Sequence, residues 1–360
     1  MPNRRFIVVI GQIPPPMDGL AYITSEYVKL LSEDHDVRVL DISPKATKRG
    51  VAYHLSRTVT VLRASLHLIY NASRENRLCY MPCQSDFGLV YTIQLLALAR
   101  LLGYPTYLHH HNFGYINERR RMMQVALQAG GPKVVHIFLC ERMQERFSQT
   151  YWKPATSVVI SNAAFVSPQA NQTINSPGTP LKIGLLSNLN REKGLYLFLD
   201  LLRAARDQGL SLQGTLAGPV RDPDDRSALD AAERELGERL HYVGPLYGDE
   251  KTSFYESIDV FAFPTTYVNE AQPTVIYEAL AAGNLILTYE RGCIPSQVRD
   301  NGLVISQDLP FIPHALSWLQ NLSERKCASG RASVADRASE LHRAERARAR
   351  TLFTPGALDG

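Results

Sequence analysis

Two carboxylates, Glu270 and Glu278, stand eight positions apart in the stretch 263–283, FPTTYVNEAQPTVIYEALAAG. Val275, Ile276, Leu280 and Ala281 fall at helical spacing, which predicts a helix opening near Pro273. Proline suits a first helical position because it has no N–H to lose there. The amides from Gln272 through Thr274 to Val275 then carry the positive end of the helix dipole, an anion site. Glu270 falls in the loop before that end and Glu278 about a turn inside it. A phosphate on the amides with hydroxyls on both carboxylates describes a sugar nucleotide. An ordinary amphipathic helix with solvated carboxylates is the plainer alternative, and it leaves the Phe-Pro and EAQP segments without a purpose.

Other residues could serve the same ligand. In SNLNREKG, Arg191 and Lys193 follow an apolar run at 182–186, the place for cations that neutralise a leaving diphosphate. Near the start, GQIPPPMDGL puts Gly19 before an amphipathic segment at 21–31, where a backbone can approach a phosphate closely. This is not GxGxxG, which argues against an NAD enzyme. A run at 106–111 ends in His109, His110, His111 and Asn112, at the carboxyl end of a predicted strand. Strand alternation sends His109 and His111 to one side and His110 to the other, which disfavours a shared metal. Gly244 to Leu246 is a backbone contact for a base. Asp222-Pro223-Asp224 has the look of a metal motif but reads as a charged surface turn, and no catalytic metal or other cofactor is expected.

These residues need a scaffold, and the chain alternates strands and helices every 25 to 30 residues or so, the mark of a parallel doubly wound sheet. Strands are predicted at 6–10, 37–42, 78–82, 106–111, 134–139 and 158–160, then at 182–186, 212–217, 241–243 and 260–263. Helices are predicted at 51–70, 89–102, 117–128, 141–151, 195–207 and 312–322. The polar, Pro/Ser/Asn-rich 167–180 is a linker. It separates a first domain at 1–166 from a second at 181–335, and a basic tail at 336–360 follows, with Leu352 and Phe353 able to dock on the first domain.

A length of 360 residues favours two cores over one. A hydrophobic share of 45% and a charged share of 21% describe an ordinary globular chain, which excludes disordered and fibrous classes. No apolar run reaches membrane-spanning length and the start does not read as a signal peptide, so a cytoplasmic location is expected. Cys79 and Cys83 lack a second ligand pair and read as buried thiols. The net charge of +4 is uneven: Lys45, Lys48, Arg49, Arg57 and Arg63 cluster, as do Arg119 to Arg121 and the segment 343–350. No nucleic-acid motif accompanies them, and anionic lipid headgroups on the inner face of a membrane suit them at least as well. The helix at 51–70 carries Val51, Leu55, Val59, Leu62, Leu66 and Ile69 every three or four positions, and such a stripe normally packs on a sheet.

The Glu, seven residues, Glu pattern followed by Ala-Leu-Ala-Ala-Gly283, with the preceding Phe-Pro and the internal Gln-Pro, resembles the donor-site signature of family 4 retaining glycosyltransferases. The resemblance implies the GT-B fold, two Rossmann-like domains facing across a cleft. It implies a nucleotide-sugar donor, with Glu278 on the ribose hydroxyls and Glu270 on the donor sugar. It gives Gly19 to the diphosphate and His111 to the sugar near the reaction centre, with His109 as second choice. Lys193 matches a lysine of the family. Asn188 stands where the family has an arginine; it can hydrogen-bond a phosphate without bringing charge, and either Arg191 substitutes or Lys193 and the helix amides carry more of the load. The resemblance also implies a lipid-linked or oligosaccharide acceptor in bacterial surface polysaccharide or glycolipid assembly, and an N-terminal domain that presents a basic, apolar face to the membrane. Two rival functions remain open at this point: a GT-B sugar-nucleotide epimerase or hydrolase, and a non-catalytic sugar-nucleotide-binding assembly protein.

Overall fold

The computed structural model describes residues 4–15, 19–43, 51–167, 180–325 and 328–354. Two compact units emerge. One is the chain up to Phe165 together with the chain from Glu345 onward, and the other is Val166–Ala344. Lys45, Lys48, Arg49 and nearly all of the expected linker lie outside the described residues.

The first unit runs β1 (Phe6–Gly11), α1 (Gly19–Ser32), β2 (Asp36–Asp41), α2 (Val51–Tyr70), β3 (Arg77–Pro82), α3 (Gly88–Leu101), β4 (Thr106–His109), α4 (Gly114–Asn117), α5 (Arg121–Gly130), β5 (Val135–Phe138), α6 (Glu141–Thr150) and β6 (Thr156–Val159). Its strands form one parallel sheet in the order β2-β1-β3-β4-β5-β6. β1 is an unbroken apolar run buried at every position, as a strand covered on both faces must be. It pairs with β2 through Phe6↔Asp36 and with β3 through Phe6↔Arg77, so the strand order reverses on either side of it.

The core of this unit is completed by the end of the chain. α13 (Ala328–Thr351) delivers Ala349, Leu352 and Phe353 into a cluster with Tyr27, Tyr80 and Tyr107. The Phe353 ring meets those of Tyr107, Tyr27 and Tyr80 with centroids 4.6, 5.8 and 6.2 Å away. The Tyr27 hydroxyl donates to the Ala349 carbonyl at 3.3 Å, and Glu345 Oε2 accepts from the Ser161 amide at 2.9 Å. At the rim, Arg346 pairs with Glu33 and Arg350 with Asp34, each at 2.8 Å.

Helix α2 corrects the expected packing. Its stripe of large apolar side chains points outward: Leu55, Val59, Leu62, Leu66, Ile69 and Tyr70 are all exposed, Leu66 at 65% and Tyr70 at 82%. The buried face is made of Val61, Ala64, Ser65 and Leu68. Arg57 also faces inward. Its Nη2 donates to Gln84 Oε1 at 2.7 Å and its guanidinium lies 5.1 Å from the Tyr91 ring centroid, so it is a packing residue rather than a surface cation. The helix expected at 117–128 is also revised: α4 ends at Asn117, Arg120 is extended at φ −106°, ψ 126°, and α5 starts at Arg121. Only the third arginine of that run lies in the helix. Cys79 and Cys83 are buried free thiols, and burial pushes Cys79 far above its ordinary value and Cys83 up to about 12.

The second unit runs β7 (Leu181–Leu186), α7 (Leu195–Asp207), β8 (Leu212–Ala217), α8 (Pro223–Leu236), β9 (Leu240–Tyr242), α9 (Gly248–Ser257), β10 (Val260–Phe263), α10 (Thr274–Ala281), β11 (Leu285–Tyr289), α11 (Ile294–Val298), β12 (Gly302–Ile305) and α12 (Phe311–Arg325), followed by the first half of α13. Its sheet is parallel in the order β12-β11-β10-β7-β8-β9. β7 pairs with β8 on one side and β10 on the other, making the β7/β10 boundary the point where the strand order reverses. Ligands of doubly wound sheets bind at the carboxyl ends of strands at such a point. Asp222 caps α8, its carboxylate accepting from the Asp224 amide at 2.8 Å, and Pro223 opens the helix. The Asp-Pro-Asp segment is therefore a helix cap rather than a loose surface turn.

Candidate functional site

Two loops leave the sheet of the second unit side by side, 187–194 after β7 and 264–273 after β10. They pack against each other because Gly194 has no side chain: it adopts φ +91°, and a Cβ there would stand 2.6 Å from the Pro264 carbonyl oxygen. The Glu192 carbonyl accepts from the amides of Thr266 and Tyr267 at 2.8 and 3.2 Å. This stitching brings together side chains 77 positions apart. Lys193 Nζ donates to Glu270 Oε2 at 2.6 Å. The ammonium also lies 4.9 Å from the Tyr267 ring centroid, and the Thr265 hydroxyl reaches the same carboxylate oxygen at 3.3 Å. Gly292 backs the loop, since a Cβ there would stand 2.1 Å from the Glu270 carbonyl oxygen.

Helix α10 begins just beyond Glu270. Pro273 is its cap, with φ −63° and ψ 126°, one position before the helical residue expected of it, and Thr274 is the first in the helix. The Pro273 carbonyl accepts from the Ile276 amide at 3.3 Å and from Gln297 Nε2 at 3.1 Å, which pins the opening turn. Gln272 is buried beside it. The amides of Thr274 and Val275 have no carbonyl a turn earlier to bond, as at any helix start. Glu278 sits a turn inside, with Lys251 Nζ donating to Oε1 at 2.7 Å and the Tyr255 hydroxyl donating to Oε2 at 2.8 Å. Burial and the Glu278 carboxylate both push the Tyr255 hydroxyl well above its ordinary value, so it stays a donor. Neither Lys251 nor Tyr255 was singled out from the sequence.

Of the remaining residues of this unit, Asn188 is exposed on the β7 loop. Arg191 lays its guanidinium 3.9 Å from the Tyr196 ring centroid at the start of α7. Gly244, at φ +78° after β9, faces open space, and its carbonyl accepts from the Gly218 amide at 2.8 Å.

In the first unit, Gly19 opens α1, and a side chain there would meet no atom of the described residues within 4 Å. β4 ends at His109, two residues earlier than expected, yet the rings still sort by alternation. His109 and His111 lie tilted against each other with centroids 3.9 Å apart, while His110 turns away to His136, Nε2 to Nδ1, at 2.9 Å. His110 Nδ1 pairs with the Tyr115 hydroxyl at 3.0 Å and His109 Nδ1 with the Tyr80 hydroxyl at 2.8 Å. Burial drives His111 down to about 3 and His136 to about 4, and holds His109 and His110 well below the ordinary range. All four are neutral at pH 7. The Nε2 atoms of His109 and His111 are buried with no partner among the described residues, which leaves them ready for a neutral hydrogen bond.

Residues 167–310 match the family model described as Glycosyl transferases group 1. The matched residues lie within the second unit. No curated protein sequence matches the chain. Among solved structures, Anabaena HepE in complex with UDP aligns over 96% of this chain and 98% of its own, with a TM-score of 0.68 at 16% identity. Sucrose-phosphate synthase from Thermosynechococcus elongatus aligns over 99% and 96%, with a TM-score of 0.63 at 16% identity. The lipopolysaccharide outer core galactosyltransferase WaaB, in its apo form, aligns over 96% and 98%, with a TM-score of 0.68 at 14% identity. At these identities the likeness establishes the fold: two parallel six-stranded sheets with interleaved helices, the GT-B architecture. Among the described residues no helix is long and apolar enough to cross a membrane.

Proposed function

We propose that the chain is a retaining, metal-independent glycosyltransferase of family 4 type, moving a sugar from a nucleoside diphosphate to an acceptor hydroxyl. One observation carries this reading: Lys193 and Glu270 pair at 2.6 Å on the two loops beside the β7/β10 boundary, just before the opening amides of α10. The two charges of the pair neutralise each other. A donor replaces it, phosphate oxygens accepting from the ammonium and from the amides of Thr274 and Val275 while a sugar hydroxyl donates to Glu270. Glu278 takes the ribose hydroxyls. Gln272, Pro273 and Gly244 shape the backbone around the nucleotide, and Asn188 adds an uncharged hydrogen bond.

As the bond from the anomeric carbon to the phosphate oxygen breaks, charge builds on the diphosphate. Lys193, Arg191 and the helix amides stabilise it. The acceptor hydroxyl attacks from the leaving-group face, and its proton passes to the departing phosphate oxygen. The acceptor is a lipid-linked or oligosaccharide sugar of bacterial surface polysaccharide or glycolipid assembly, used at the cytoplasmic face of the membrane. The outward apolar stripe of α2 and the absence of any acidic residue between Asp41 and Glu75 support a peripheral seat there.

HepE has been solved with UDP-glucose, which makes that donor the first to try. Thermal shift across UDP-, GDP- and ADP-sugars identifies the ligand, since a bound donor raises apparent stability by mass action. NMR of the product then reads the new anomeric centre. Stabilisation by a donor, turnover in EDTA and a retained anomer are expected. An inverted anomer or loss of turnover in EDTA would overturn the mechanism.

A further inference from the structure

Glu278 is held by a helix other than its own. Its two carboxylate oxygens receive Lys251 Nζ at 2.7 Å and the Tyr255 hydroxyl at 2.8 Å, both from α9. The four-residue spacing of Lys251 and Tyr255 puts them on one face of that helix. Tyr255 is itself immobilised, its ring edge-on to Phe254 and Phe261 with centroids 5.3 and 5.6 Å away. Its carbonyl accepts from the Asn284 side chain at 3.0 Å, just past the end of α10, so backbone and side chain of one residue tie the two helices together.

A carboxylate offers about four lone-pair sites. The Lys251 ammonium lies 2.7 Å from both oxygens and the Tyr255 hydroxyl donates to Oε2, which fixes the plane of the group and leaves Oε1 the more open oxygen for outside donors. Hydroxyls on adjacent carbons can donate to it.

We infer that Lys251 and Tyr255 are positioning residues that hold Glu278 as a clamp for the 2′,3′-diol of the donor's ribose. The inference rests on the assignment of Glu278 to the ribose made above. Its signature is the ratio of affinities for a ribonucleotide and its 2′,3′-dideoxy form, because general loosening or a changed local charge affects both forms alike and cancels.

The test titrates UDP, GDP and ADP calorimetrically into the full chain, then compares the tightest with its 2′,3′-dideoxy form in wild type, Tyr255→Phe, Lys251→Met and Lys251→Arg. Wild type should prefer the ribose form by about tenfold or more, the worth of one or two charge-assisted hydrogen bonds. Tyr255→Phe, which keeps the packed ring, and Lys251→Met should each cut that ratio several-fold, and Lys251→Arg should restore most of it. Unchanged ratios in Tyr255→Phe and Lys251→Met overturn the inference, even if both affinities fall. A wild type that binds a diphosphate without ribose preference overturns the clamp and leaves the transferase reading standing. A wild type that binds none of the three overturns both.

Discussion

In the second unit, charged groups gather at the carboxyl ends of the strands and stay within reach of water: Lys193 with Glu270, Lys251 with Glu278. In the first unit the strand β4 and its exit carry imidazoles instead, packed against tyrosines and phenylalanines and kept uncharged by burial. The Lys193–Glu270 pair keeps only an edge on water, with side chains 24% and 10% exposed, and a ligand that brings its own charge can take the place of one partner. A buried imidazole cannot accept a proton without losing a solvation shell that the fold does not replace. One unit sets paired charges beside its helix ends, the other offers shape and neutral hydrogen bonds.

Four experiments would break or sharpen that contrast. The largest effect should come from a residue with no polar group: Phe353→Ala empties the ring cluster of the first unit and should cost about 3–5 kcal/mol. Calorimetry should then show two melting steps where wild type shows them closer together. Lys193→Ala should do the reverse, lowering turnover by about two to three orders of magnitude while moving the melting temperature little. If Lys193→Ala unfolds the second unit instead, its ion pair is structural and the contrast fails.

Acid should separate the units next. Unfolded, His136 takes a proton near 6.5; folded, only near 4. Between those values the unfolded chain binds more protons, so stability rises with pH across the window, is fully present above 6.5 and drains away as pH falls towards 4. The loss from this one residue is about 3 kcal/mol. Urea midpoints against pH should fall more steeply for wild type than for His136→Gln, which can keep a hydrogen bond to His110 and does not titrate. The smallest effect belongs to the outward stripe of α2. Leu66→Asp should weaken binding to anionic vesicles by about tenfold, the worth of one buried leucine, and leave nucleotide binding unchanged; unchanged vesicle binding would remove the membrane seat.

Much of the scaffold was readable from residues alone because parallel strands are apolar runs: 212–217 and 260–263 are strands with those bounds, and 51–70 and 195–207 are helices with theirs. Periodicity told which residues of α2 share a face, but not which way the face points. The regular spacing made the stripe conspicuous, and Val61, Ala64 and Leu68, which break that spacing, turned out to be the buried ones. In the candidate site, Glu270, Pro273 and Glu278 were legible because they lie in one short stretch. Their partners were not equally so: Lys193 stands out by following a strand, whereas Lys251 and Tyr255 reach Glu278 through tertiary packing from a helix whose sequence carries no distinguishing pattern.

The wedge of Phe353 among Tyr27, Tyr80 and Tyr107 sets an order of events during synthesis. The sheet of the first unit leaves the ribosome early, yet the side chain that seals its interior is made only after the whole second unit. Until then three aromatic rings line an unfilled hollow, and the nascent chain carries a sticky apolar opening. Translation proceeds from the first residue to the last, while the first unit reaches its finished form only once the tail has returned to it.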